Sequence, residues 1–229
     1  MNAGIVQDKL QLRCIREIKP DEIKRDLKDD ACIGRSTFCG VNHTGIKMKV
    51  KGVNLGNWLV LEKWMSPALF EGTAAVRIPV PYFIFGDREP FIGCIKELDK
   101  AFNGAEKYGL QILIDLHTAP MGQNGFDNGG ICGVCKWSKC AEEVEFVLSV
   151  LERLAARYGS RKGLWGIEAL NKPITEKAWK LMDVLNRYPA TDPEMAEGSG
   201  PLTLEFLKEF YSQAYDRIRK YLPEDKYMV

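Results

Sequence analysis

Gly163-Leu-Trp-Gly-Ile-Glu-Ala-Leu-Asn-Lys-Pro173 is the stretch that decides the fold. Leu164 to Leu170 is mostly apolar and is bracketed by Gly163 and Pro173, as expected of a strand covered on both faces. Asn171 and Lys172 then emerge as a polar tip at its C-terminal end. Strands of this kind sit in parallel sheets and alternate with helices along the chain.

Working outward, the flanking sequence shows that alternation. Lys49–Leu55, Ala74–Val80 and Leu110–His117 read as three earlier strands. Ile92 to Tyr108 carries Ile95, Leu98, Phe102 and Ala105 at helical spacing, and Gly109 supplies a stop. Cys140 to Tyr158 reads as a long helix with Val144, Val147, Leu148, Leu151, Leu154 and Ala155 on one side. Leu202 to Leu222 has Phe206, Phe210, Ala214 and Ile218 on its apolar face, and Lys226–Val229 looks like the opening of a fifth strand. Polar residues gather at the C-terminal strand ends: Asn54, Arg77, Asp115, His117, Asn171 and Lys172. TIM barrels carry their active sites at that end of the sheet.

A complete barrel has eight strands and typically ~250 residues. The sequence from Met48 onward shows four strands and the start of a fifth. The expected fold is therefore α/β, of (β/α)8 TIM-barrel type, with only the N-terminal half present. Residues 48–229 are expected to form this partial barrel domain. Residues 1–47 combine a charge-dense run, Pro20–Asp30, with a Gly-, Ser-, Thr- and Asn-rich run, Gly34–Gly45. They are expected to be a weakly ordered extension with a short helix near Asp21–Leu27.

The 229 residues are 45% apolar and 28% charged, which suits a soluble domain with a real core. The 32 basic and 31 acidic residues nearly cancel, so neither nucleic acid nor an anionic membrane is an expected partner. No apolar run approaches the ~20 residues of a membrane span. The first thirty residues lack the apolar stretch of a secretory signal, so a cytoplasmic location and reduced thiols are expected for the seven Cys. Cys132, Cys135 and Cys140 offer three thiolates where a closed zinc site needs four ligands. Free thiols are the expectation, with no metal and no cofactor.

Five motifs stand in order along the chain. They are Gly52-Val-Asn-Leu-Gly-Asn-Trp-Leu-Val-Leu-Glu-Lys-Trp64, Val76-Arg-Ile-Pro79, Ile114-Asp-Leu-His117, Gln123-Asn-Gly-Phe-Asp-Asn128 and Asn171-Lys-Pro173. Together they resemble glycoside hydrolase family 5, within it the exo-β-1,3-glucanase branch. The resemblance runs from about Met48 to the C-terminus. It implies a retaining mechanism in which two carboxylic acids, ~5–5.5 Å apart, flank an oxocarbenium-like centre. It also implies a β-glucan or gluco-oligosaccharide substrate.

By the same resemblance, Arg77 corresponds to an Arg that supports the nucleophile, His117 to a His lining the sugar site, and Asn171 to the Asn that holds the 2-hydroxyl. Glu62, Asp127 and Asn128 correspond to residues that grip the terminal glucose in the exo-acting branch, and Trp64 is a further candidate for contact with glucose. Lys172 stands at the position of the acid/base Glu. An ammonium is a poor proton donor near neutrality, and its charge repels a cationic transition state. The sixth, seventh and eighth strands, and with them the nucleophile Glu and a later aromatic platform, are expected to be absent. Phe70–Ala75 joins the first two strands without the family's usual helix. The chain is therefore expected to be a glycosidase by descent with impaired catalysis, the alternative being a sugar-binding remnant or a non-functional fragment.

Each of these residues also has an ordinary structural role open to it. His117 could be a satisfied buried histidine, and Arg77 a strand anchor. Glu62 and Asp127 could be loop acids, while Asn124, Asp127 and Asn128 could serve turn chemistry. Trp58, Trp64 and Trp137 could stack on sugar or fill the core. Lys172 could be a solvated lysine.

Overall fold

The computed structural model describes residues 35–41, 47–54, 75–223 and 227–228. Among the described residues six strands form one sheet in sequence order. They are β1 (Arg35–Val41), β2 (Lys47–Asn54), β3 (Ala75–Val80), β4 (Gln111–Leu116), β5 (Leu164–Glu168) and β6 (Tyr227–Met228). β1 runs antiparallel to β2, and every later neighbour is parallel. The helices are α1 (Ile95–Lys107), α2 (Ala141–Tyr158), α3 (Glu176–Leu181), α4 (Val184–Arg187), α5 (Pro193–Ala196) and α6 (Leu204–Arg219).

The expected strand–helix alternation is present from β3 to β6. β1 is not what the sequence suggested: Arg35–Val41 falls in the stretch expected to be weakly ordered, yet it pairs along its length with Lys47–Val53. Pairing with β2 uses backbone groups whatever the side-chain pattern, so a strand within a Gly-, Ser-, Thr- and Asn-rich run escapes a periodicity reading. The proposed helix near Asp21–Leu27, most of the Phe70–Ala75 join, and Trp58, Glu62 and Trp64 lie outside the described residues.

Both faces of β3 and most of β4 and β5 are buried. One face meets the helices. Val76, Ile78, Val80, Ile112, Ile114, Leu116, Leu164 and Ile167 join the main core there. α1 answers with Leu98, Ala101, Phe102 and Ala105, the i, i+3, i+4, i+7 stripe of a half-buried helix. α2 contributes Val147, Leu148, Val150, Leu151, Leu154 and Ala155. Phe102 and Tyr158 stack with centroids 4.3 Å apart, and the Tyr158 hydroxyl donates to Asp99 at 2.8 Å, locking α1 to α2. Truncating a fully buried residue such as Leu151 to Ala would cost about 2–5 kcal/mol.

α6 starts at Thr203, whose side chain accepts from the Phe206 amide at 3.1 Å as a helix cap. Its Phe210 meets the Trp137 ring edge-on, centroids 4.8 Å apart. Trp137 is fully buried and its indole N–H donates to the Glu143 carbonyl at 3.2 Å, so this tryptophan is core rather than a sugar platform. The short helices α3, α4 and α5 went unread in the sequence because they bury almost nothing along a repeating face. α5 nonetheless has a legible cap, Asp192 before Pro193, whose carboxylate accepts from the Glu194 and Met195 amides. Among the described residues no helix is long and apolar enough to cross a membrane.

Candidate functional site

The second face of the sheet carries different chemistry. Ala75, Leu113 and Trp165 form a small apolar cluster of their own, separate from the main core. Beyond it toward the C-terminal strand ends lie Arg77, Asp115 and Glu168. Period-two alternation explains this: Ile78 and Ile114 go to the helices, so Arg77 and Asp115 go to the other side. β5 needs a correction to match. Ile112 pairs with Leu164 while Leu113 pairs with Gly166, so Trp165 is an extra residue. After that bulge Ile167 faces the core and Glu168 comes beside Asp115.

Arg77 is the hub. Its Nε donates to Glu168 Oε2 at 2.6 Å and its Nη2 to Glu168 Oε1 at 2.7 Å, a two-point ion pair. Nη2 also donates to Asn171 Oδ1 at 3.0 Å, and Nη1 lies 2.9 Å from Asp115 Oδ2. The same Asp115 oxygen is 2.6 Å from His117 Nδ1. His117 Nε2 in turn lies 3.4 Å from Asn171 Nδ2. The tips of three adjacent parallel strands thus share one hydrogen-bonded cluster.

Burial tends to lower the affinity of Arg77 for its proton, but the Glu168 bonds and the Asp115 charge outweigh it and hold the guanidinium charged. Burial, helped by the charge of Asp115, pushes the Glu168 carboxyl above the usual range, although Arg77 pulls the other way. One guanidinium shared by two carboxylates cannot fully offset the desolvation of both. Asp115 is completely buried, and its Oδ1 has no hydrogen-bond partner.

The loop after His117 is tied to the tip of β5. Gln123 Nε2 donates to the His117 carbonyl at 2.8 Å and to the Asn171 carbonyl at 3.1 Å, while its Oε1 accepts from the Ala119 amide. Asn124 Nδ2 donates to the Lys172 carbonyl at 3.0 Å, and its Oδ1 accepts from the Phe126 amide at 2.9 Å. Both side chains are fully buried.

Of the residues expected in the site, Arg77, His117 and Asn171 come together as one cluster. Lys172 sits at the tip with a left-handed backbone, φ 46°, and an exposed side chain. Asp127 and Asn128 lie in a 3-10 turn in which the Asn128 amide donates to Asp127 Oδ1 at 2.8 Å, the turn chemistry open to them from the start. The Oδ1 of Asn128 is a second buried acceptor without a partner. Glu62 and Trp64 lie outside the described residues.

Sequence reasoning missed Glu168, and it gave Asp115, Gln123 and Asn124 no site role. The signal for Glu168 was a lone acid inside an otherwise apolar strand, a residue that needs a buried partner.

Among the described residues no group of three or more His, Cys, Asp or Glu is placed to hold a metal. Burial pushes the Cys135 thiol up to about 12 against the pull of Lys139, which makes it a poor thiolate ligand.

No family model matches the chain. It is 30% identical over 237 residues to a glucan 1,3-beta-glucosidase of Schwanniomyces occidentalis, covering 79% of this chain and 50% of that protein. It is 31% identical over 211 residues to a probable glucan 1,3-beta-glucosidase A of Aspergillus niger, covering 67% and 50%. The chain spans about half the length of the curated relatives it matches. Among solved structures it is similar to a glycoside hydrolase with a TM-score of 0.52 at 22% identity, covering 79% of this chain and 52% of that one. Its structural neighbours are glycoside hydrolases of TIM-barrel type, and its parallel sheet with flanking helices is an α/β arrangement of the same kind.

Proposed function

We propose, on the premise that the chain is homologous to glucan 1,3-beta-glucosidases, that it is a retaining-type glycoside hydrolase by descent. In this reading its site holds the terminal glucose of a β-1,3-glucan or related β-glucoside, and Lys172 impairs its catalysis. The observation that carries the reading is the convergence of Arg77, His117 and Asn171 at the C-terminal ends of β3, β4 and β5.

The chemistry suits a polyhydroxylated ligand. Imidazole and amide groups exchange hydrogen bonds with hydroxyls in either direction. The buried Oδ1 atoms of Asp115 and Asn128 are acceptors whose desolvation a hydroxyl donor would offset. Asp127, Asn128, Glu62 and Trp64 complete the sugar contacts in this proposal. Lys172 presents an ammonium where a proton must be handed to a leaving oxygen. The retaining mechanism uses a carboxylic acid at that position, first as acid and then as base.

Two measurements test this together. Titration calorimetry with a laminari-oligosaccharide at millimolar concentration is expected to show binding heat. A glucose-release assay on the same oligosaccharide is expected to stay at blank. An absence of heat removes the sugar site, and release of glucose by the chain as it stands overturns the role given to Lys172.

A further inference from the structure

We propose that Glu168 is a positioning residue: acting through Arg77, it fixes the orientation of the Asn171 amide, and the ring of hydrogen bonds it anchors ties that orientation to the protonation of His117. The consequence for sugar binding rests on the reading above; the ring itself does not.

The direction of every bond follows from Arg77. A guanidinium only donates, so the Asn171 atom 3.0 Å from Nη2 must be the amide oxygen. That turns the amide nitrogen toward His117 Nε2, 3.4 Å away. A ring nitrogen that receives an amide proton carries none of its own. The His117 proton is therefore on Nδ1, donated to Asp115 Oδ2 at 2.6 Å. Asp115 Oδ2 closes the ring on Arg77 Nη1 at 2.9 Å. Glu168 takes the Nε and one Nη2 hydrogen, which leaves the second Nη2 hydrogen for Asn171 and an Nη1 hydrogen for Asp115.

Among the described residues the charged groups facing His117 are Asp115 on its own strand, Arg77 from β3 and Glu168 from β5. Tyr211 of α6 stands next out, within the field of Glu168. With Nδ1 already carrying a proton, a second proton on the imidazole would sit on Nε2 and meet the Asn171 NH2 donor to donor. Rotating the amide to offer its oxygen to His117 would turn the NH2 onto Arg77 Nη2, again donor to donor. Proton uptake therefore requires Asn171 to give up one of its two partners, and a ligand hydroxyl then meets a different amide.

The chain has two histidines, so 15N NMR of the full chain resolves His117 from His43 across pH 5–8. The expected result is the Nδ1–H form at the high-pH end, with the Asn171 side-chain NH2 signals moving at the same midpoint as the His117 ring. Glu168→Gln, which loosens the two-point clamp, and Arg77→Lys, which cannot bridge Asp115 and Asn171 at once, are each expected to separate the two transitions.

An Nε2–H form, Asn171 signals that ignore the His117 titration, or a shared midpoint that survives in the folded variants would each overturn the proposal. Should both variants fail to fold, the unsubstituted chain still decides it. Coupled transitions without sugar binding would sink the sugar reading alone. Sugar binding without coupled transitions would sink this inference alone.

Discussion

Arg77 and Glu168 stand 91 residues apart in the sequence and meet through two hydrogen bonds of 2.6 and 2.7 Å. Their strands, β3 and β5, are not neighbours; β4 lies between them and supplies Asp115 to the same guanidinium. The pair spans the width of the site.

Removing one partner of a buried pair strands the other charge. Glu168→Ala is expected to cost about 3 kcal/mol, the low end of the range for such a loss, because Asp115 stays to hold Arg77. The measurement is urea unfolding followed by circular dichroism. Lys180→Ala, which breaks the exposed Lys180–Glu176 pair, should leave the midpoint in place.

A Cβ at Gly129 would lie 2.2 Å from Asn124 Oδ1. Backbone holds the glycine, so the Asn124 side chain must move, and its bond to the Lys172 carbonyl goes with it. Gly129→Ala is expected to destabilise by about 1–3 kcal/mol, the cost of a buried amide left unpaired. Amide exchange should speed up at Phe126, whose N–H loses its acceptor. Unchanged exchange there would mean that the loop absorbs the methyl elsewhere.

Lys172→Glu places a carboxylic acid at the tip of β5. A retaining mechanism needs a second carboxylate free to attack, and the described acids beside this tip, Glu168 and Asp115, are both engaged by Arg77. The single substitution is therefore expected to produce no glucose release from a laminari-oligosaccharide. Turnover by this variant would show that a nucleophile is already within reach.

Bonds from Arg157, and then from the Tyr158 hydroxyl, hold the Asp99 carboxyl below its usual range despite partial burial. A depressed carboxyl stabilises fully above its unfolded value of 3.8, and that contribution fades as pH falls through the lower folded value. Asp99→Asn should therefore be less stable by roughly 0.5–1 kcal/mol above pH 5. The gap to the unsubstituted chain should close toward pH 2. A gap independent of pH would assign the loss to packing of the Phe102–Tyr158 stack.

Much of the fold was legible along the chain because its signals are local. The apolar stripe of α1, the longer stripe of α2 and the Gly that ends each state their periods within a single element. The candidate site was legible only in part. Arg77, His117 and Asn171 stood out as polar tips on apolar strands. Glu168 passed unread inside a mostly apolar strand, because its partner lies two strands away and a bulge at Trp165 decides which face it joins. Gln123 and Asn124 looked like loop residues, since nothing in a Gly-rich run shows that their amides reach the backbone of another strand.

The sequence by itself determined strands β2 to β5, the opening of β6 and helices α1, α2 and α6, and that the polar strand ends would lie on one edge of a parallel sheet. Short-range apolar periodicity and glycine stops suffice for that. Tertiary structure alone decided that Arg77 answers two carboxylates, that Trp137 is core, and that Asn171 and His117 close a ring. Those facts depend on register, bulges and the fixed donor geometry of a guanidinium, which exist only once the strands lie side by side.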